Sequence, residues 1–151
     1  MYKRQVLNSF KQIERVEWDT LLFFFGILFA VGGLGVMGYL AMASEYFYVG
    51  LGPTVANIAV GVMSAVVDNI PVMFAVLTMD PAMSHGQWLL VTLTAGVGGS
   101  LLSIGSAAGV ALMGQAPGQY TFFSHLKWTW AIALGYAASI ATHLFINASL
   151  F

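Results

Sequence analysis

The sequence predicts an all-α integral membrane protein whose helices are interrupted within the membrane. Three observations carry this reading. Only 7% of the residues are charged, 59% are hydrophobic and the mean hydropathy is +0.84, whereas a soluble domain has roughly a quarter of its residues charged. Thr20 to Leu40 contains no charged residue and matches the ~20 residues needed to cross a hydrocarbon core. Finally, the apolar run Thr54 to Met79 carries Asp68, Asn69 and Pro71 at its middle. A lipid-embedded helix holds such residues where something polar is bound or where the helix is broken.

Charge and cysteine content narrow the function classes. A net charge of −1 provides no basic patch to neutralise phosphates, so nucleic acid is not an expected partner. The chain has no cysteine, which excludes disulfides and thiolate metal sites. No cleavable signal peptide is expected, because the first apolar run begins near Thr20, is long enough to span and lacks a small-residue cleavage site.

Residues 1–19 read as an N-terminal amphipathic or interfacial segment. Val6, Phe10, Ile13 and Val16 recur at helical spacing with Lys11, Glu14 and Arg15 between them, the pattern of a helix lying at the headgroup level. A short solvated linker helix fits the same residues. Trp18 and Asp19 mark an interface crossing, and Thr20 to Leu40 is the first transmembrane helix. Along it Gly26, Ala30, Gly32, Gly33, Gly35 and Gly38 form a smooth side suited to close helix packing.

Met42 to Pro53 reads as an interfacial loop with a short helical turn, and Pro53 suits the first turn of the next helix. That helix, Thr54 to Val67, reaches only about 21 Å, short of the ~30 Å core. Beyond the break, Val72 to Met79 ends at Asp80-Pro81. Two topologies fit: one kinked span from Thr54 to Met79, or a re-entrant hairpin with its tip at Asp68 to Pro71. Lys3, Arg4, Lys11 and Arg15 place the N-terminus in the cytoplasm, and the hairpin then also brings His125 and Lys127 to the cytoplasmic side. The charge rule therefore favours the hairpin, on the strength of that one lysine.

Trp88 to Gln115 is apolar but interrupted by Gly98-Gly99-Ser100 and by Gly105-Ser106. Glycine and serine at that density predict a second discontinuous helix with an unwound middle. Lys127 to Trp130 anchors a terminal transmembrane helix running to Phe151, on which Tyr136, Ser139, His143 and Asn147 form one polar stripe. That stripe is expected to face protein through interhelical hydrogen bonds, and His143 is a candidate for pH sensing because histidine titrates near neutrality.

Asn57, Gly61, Ser64 and Asp68 are spaced four, three and four apart, so a helix would carry them on one face leading to the break. The break offers the Asp68 carboxylate, the Asn69 amide and unpaired backbone groups. Pro71 is expected to free carbonyls by removing a donor and crowding the preceding turn. The second break offers Ser100, Ser103, Ser106 and further carbonyls. All are hard oxygen donors of the kind that hard cations prefer. Burial raises a carboxylate's pKa whereas a nearby cation lowers it, so a proton and a metal ion would exclude one another at Asp68, which is the condition for antiport. Enzymatic chemistry is not expected: no Gly-x-Ser-x-Gly elbow occurs, no second intramembrane carboxylate completes a dyad, and the three histidines lack zinc spacing.

Val60 to Leu77, including Ser64-Ala65-Val66-Val67-Asp68-Asn69-Ile70-Pro71, together with Gly98 to Gly109 and Glu17 to Gly26, resembles the NhaD-type sodium/proton antiporters of the ion transporter superfamily. The resemblance runs from about Val16 onward. It implies a bacterial inner-membrane, multi-pass secondary transporter that exports sodium, and lithium, in exchange for protons and needs no cofactor. The implied fold has two inverted repeats, each with a hairpin and a broken helix, and dimerises through scaffold helices. Residues 20–151 would then be the C-terminal repeat, comprising a transmembrane helix, a re-entrant helical hairpin, a broken helix and a terminal transmembrane helix. Its expected partners are the N-terminal repeat absent from this chain, the lipid bilayer and a second copy of the carrier.

The family's hairpin-tip role carries to Asp68 and Asn69, and its broken-helix role to Ser100, Ser103 and Ser106. Gly109 departs from many relatives, arsenite carriers among them, which have Asn there, so a ligand at that position is not expected. Two alternatives follow. An anion carrier of the same superfamily, for arsenite or a dicarboxylate, would place helix N-termini against its substrate. A non-transporting membrane subunit would use the glycine faces for packing alone.

Overall fold

The structure is a computed structural model that describes residues 18–116 and 118–151. The amphipathic pattern of Val6 to Val16 and the basic residues from Lys3 to Arg15 lie outside the described residues. Those described form helices joined by turns, with no strand among them.

Helix α1, Trp18–Val36, stops four residues short of the expected span to Leu40. The cause is Gly38, whose left-handed backbone (φ 83°) ends the helix as glycine commonly does. Gly38 thus turns the chain rather than extending the smooth packing side. Helix α2, Tyr39–Ser44, departs with a bend of 82° between Leu21–Val36 and Tyr39–Val49. It runs directly into a π-helical turn, Glu45–Val49, so the predicted interfacial loop is helical over most of its length. The turn buries Tyr48, whose hydroxyl donates to Asn57 Oδ1 at 3.2 Å.

Helix α3, Pro53–Met63, begins with proline in its first turn, as expected, but ends before Ser64. Ser64 to Val67 is therefore a turn, and Asp68 does not continue the face of Asn57, Gly61 and Ser64. Helix α4, Asn69–Met79, starts at the acid–amide–proline motif. Pro71 is the third residue of this helix, where a missing N–H leaves no hydrogen bond unmade. The expectation that Pro71 breaks a helix is corrected: the interruption lies before it, and the proline helps to start the second limb. Asp80, left-handed at φ 42°, closes α4 where the sequence indicated.

Helix α5, His85–Gly98, is capped by the Ser84 hydroxyl, which accepts from the Gln87 amide at 3.3 Å. Eight residues without helix follow, Gly99 to Ser106, before α6, Ala107–Gln115. A five-residue helix α7, Phe122–Leu126, leads into α8, Thr129–Ile146. Asn147 ends α8 short of Phe151, and Ala148–Leu150 forms a 3-10 turn. Among the described residues α8 is long and apolar enough to cross a membrane, and the bent pair Leu21–Val36 with Tyr39–Val49 qualifies when taken together.

Helices α3 and α5 form the centre, with α1 packed on α4 and α8 on α5. One core cluster joins Tyr48, Ala56, Val60, Val76 and Val91, so both limbs around the acid motif contribute to it. A second joins Leu90, Tyr136 and Ile140. The outer faces are apolar: Phe29 is 75% exposed and Phe145 86%, a surface suited to lipid and unusual against water.

Between α3 and α5 runs a buried polar seam. Asn57 Nδ2 donates to the carbonyl and to Oε1 of Gln87, both at 2.9 Å, and Gln87 Nε2 donates to Thr54 Oγ1 at 2.7 Å. Thr94 Oγ1 donates to the Asn57 carbonyl at 2.8 Å. Ser64 Oγ donates to the Ala95 carbonyl at 3.0 Å. Gly98 lies against the Gly61 carbonyl so closely that a Cβ there would overlap it, which is the close approach that glycine permits.

Candidate ion site at the two helix interruptions

The seam delivers both interruptions to one place. Ser64 caps the carbonyl end of α3 and Gly99 that of α5. Gly105, in the second interruption, sits where any Cβ would strike the carbonyls of Ser64 and Ala65. The two unwound segments therefore touch backbone to backbone. Their approach requires a glycine, a signal present in the Gly105-Ser106 step.

Asp68 lies at the N-terminus of α4, where its Oδ1 accepts from the Ile70 amide at 3.3 Å. This is the N-cap position, where a side-chain oxygen takes up one of the amides that the first turn leaves unpaired. The side chain is half-buried and borders a cavity of about 880 Å³. Phe23, Phe24 and Ile27 of α1 form one wall, and Ile104, Ala107 and Ala108 of the second interruption and α6 form another. Among the described residues every other one lining the cavity is apolar, so Asp68 is the sole polar side chain that they place on it. Asn69 is half-buried beside it as the first residue of α4.

The serines are not equivalent. Ser64 is fully buried with its hydroxyl committed to α5. Ser103 is 2% exposed, left-handed at φ 49°, and central to a tight turn in which the Ile104 amide donates to the Leu102 carbonyl. Its hydroxyl has no hydrogen-bond partner among the described residues. Ser106 holds the N-cap position of α6 in an extended conformation without making the cap hydrogen bond. Ser100 is exposed, and its carbonyl accepts from His125 Nε2 at 2.8 Å. None of Ser100, Ser103 and Ser106 has a side chain lining the Asp68 cavity. The interruptions are adjacent, then, while their polar side chains occupy different depths.

Asn57, placed by its spacing on the face leading to the break, belongs to the seam. His143 lies at the far end of α5: its Nε2 donates to the Gly86 carbonyl at 3.0 Å, and Asn147 Nδ2 donates to its Nδ1 at 2.9 Å. Tyr136 donates to the Ile58 carbonyl at 2.8 Å, so Tyr136 and His143 of the terminal polar stripe bond to other helices, while Ser139 donates to the Tyr136 carbonyl of its own helix. Two participants had no sequence signal: α1 contributes Phe23 and Phe24 to the cavity, and His125 of α7 with Thr129 at the start of α8 holds the second interruption. Among the described residues there is no group of three or more His, Cys, Asp or Glu that could hold a metal ion. Oxygen donors on the two interruptions are suited to a weakly held, hard cation instead.

An apolar exterior around helices that are interrupted and apposed defines the class as an integral membrane protein. The chain belongs to the CitMHS citrate transporter family, whose pattern matches residues 1–96. It is 70% identical to the Na+/H+ antiporter NhaD of Alkalimonas amylolytica over 95% of this chain and 30% of that protein. It is also 67% identical to the Na+/H+ antiporter NhaD of Halomonas elongata, over 95% of this chain and 29% of that protein. Sodium/proton antiporter 1 of Arabidopsis thaliana is 38% identical over 96% of this chain and 26% of its own length. The chain thus spans about 30% of the bacterial relatives that it matches. No solved structure matches it.

Proposed function

We propose that this chain is the C-terminal repeat of a secondary carrier that exports sodium, and lithium, in exchange for protons, with Asp68 as the group the two cations share. The observation that carries the reading is Asp68 itself, the one polar side chain that the described residues place on a cavity bordered by both interruptions. A hydrated cation entering there would lose water and gain carboxylate and backbone oxygen. A proton arriving at the same carboxylate would remove the charge that holds the cation. Relatives named Na+/H+ antiporters at 65–71% identity support the choice of ion.

In this reading α3 and α4 are the limbs of the re-entrant hairpin. Their shared cluster, Val60 with Val76, supports a fold-back over a straight kinked span, because about 16 residues of helix would otherwise hold those side chains ~24 Å apart. Helices α5 and α6 are the halves of the broken helix. Asn69, Ser64, Ser103 and Ser106 complete this repeat's share of the site, Ser100 stands at its edge with its carbonyl held by His125, and His143 senses pH at a distance. Residues 1–19 lie at the interface, residues 20–151 form the membrane repeat, and the N-terminus is cytoplasmic in a bacterial inner membrane. The N-terminal repeat supplies the remaining ligands, and the whole carrier is a homodimer. The exchange needs no cofactor.

The family's description as citrate transporters is the observation that favours an anion substrate. Against it, the Asp68 carboxylate already occupies the N-terminus of α4, where an anion would dock, and among the described residues no Lys or Arg lines the cavity. Exchange by the full-length carrier in inverted vesicles distinguishes the two. Asp68→Asn is expected to abolish sodium-driven dequenching of a pH probe while the protein still reaches the membrane. Wild-type exchange by that variant would refute the proposal.

A further inference from the structure

The second interruption is held from outside by α7 and the first residue of α8. His125 Nε2 lies 2.8 Å from the Ser100 carbonyl, and Thr129 Oγ1 lies 2.9 Å from the Leu101 carbonyl. A carbonyl can only accept, so His125 donates through Nε2–H. Its Nδ1 lies 2.6 Å from the Tyr120 hydroxyl, a second hydrogen bond that holds the ring in place. Two consecutive carbonyls, those of Ser100 and Leu101, are thereby engaged shortly before Ser103, whose buried hydroxyl has no partner among the described residues. A further constraint lies on the other side, where Gly109 packs against the Ser103 carbonyl.

Unwound backbone presents more carbonyls than one monovalent ion needs, and an unrestrained loop could turn any of them inward. We infer that His125 and Thr129 are positioning residues for the transported cation. By occupying the oxygens of Ser100 and Leu101 they withdraw them from the ion and set the direction in which Ser103 and Ser106 point. Neither residue touches the ion in this account. Their role is that of the outer partners of a metal site, which orient the ligands and whose loss weakens binding about 10–100-fold. This inference rests on the cation-exchange reading above.

The test uses the full-length carrier in inverted vesicles, with sodium chloride and lithium chloride as probes. His125→Phe keeps a ring without the donor, and His125→Gln keeps a donor. Thr129→Val and Thr129→Ser form the matching pair. Expected are increases in the KM for sodium on the order of tenfold for His125→Phe and Thr129→Val. The maximal rate per carrier should change much less, the sodium-to-lithium preference should alter, and the Gln and Ser variants should recover most of the affinity. If the Phe or Val variants accumulate poorly, sodium-dependent thermal stabilisation of the purified Gln and Ser variants decides, with a midpoint within about threefold of wild type expected. An unchanged KM in the donor-less variants, or an equal loss of rate in all four variants without any shift in KM or midpoint, overturns the inference. Asp68→Asn measured alongside separates the levels. If that variant exchanges normally the antiport reading fails, whereas its loss beside a wild-type KM in His125→Phe removes only the positioning role.

Discussion

The α3–α5 seam and the two interruptions beside it are built from similar residues, yet they treat polarity in opposite ways. In the seam, Asn57, Gln87, Thr94 and Ser64 each have a matched donor or acceptor. At the interruptions, Asp68 borders an apolar cavity and the Ser103 hydroxyl is buried alone among the described residues. An unsatisfied buried polar group costs about 1–3 kcal/mol, so the first set stabilises the fold and the second weakens it. The contrast teaches that polar residues with partners hold this protein together, while those without partners mark the place where a ligand can supply the missing interaction.

Substitutions can break that contrast, beginning with the largest effect. Asp68→Asn should eliminate exchange while leaving the melting temperature of the purified carrier within a few degrees of wild type, since the amide oxygen still caps α4. Gly105→Val should also stop exchange, because its Cβ would meet the carbonyls of Ser64 and Ala65 and separate the interruptions. Membrane abundance and vesicle transport together report this. On the seam, Asn57→Leu strands Gln87 and the Tyr48 hydroxyl, and should cost about 2–3 kcal/mol of stability in detergent unfolding. Any loss of transport by that variant should follow the loss of folded protein, with the KM for sodium unchanged.

Smaller effects sharpen the comparison. Ser64→Ala removes a satisfied hydroxyl and should cost about 1 kcal/mol. Ser103→Ala removes an unsatisfied one, so its stability should stay level or rise slightly, while its KM for sodium rises. Two serines substituted alike would then differ in stability, with a loss at Ser64 and none at Ser103, as measured by paired thermal melts.

Much of this arrangement is legible in residue order because it depends on local rules. Asp68-Asn69-Ile70-Pro71 marks an interruption, Asp80-Pro81 marks an end, and Gly98-Gly99-Ser100 with Gly105-Ser106 brackets the second unwound segment. The misreadings come from choices made by tertiary packing. Periodicity places Asn57 and Asp68 on one face only if the helix continues, and α3 ends at Met63. Pro71 signals a helix start as readily as a break, and the Asp68 cap is what decides between them. Gly38 fits a packing face or a turn equally well until its backbone is seen to be left-handed. The reach of His125 to Ser100 and of Thr129 to Leu101 has no periodic signature, since each pair joins segments 25 or more positions apart.

The central claim, one carboxylate alternately holding a cation or a proton, is tested most directly by proton release. Sodium chloride added to the purified full-length carrier in weakly buffered detergent solution should acidify the medium. The same addition to the Asp68→Asn carrier, matched for concentration and folded fraction, should release no protons. Undiminished release from that variant would contradict the account.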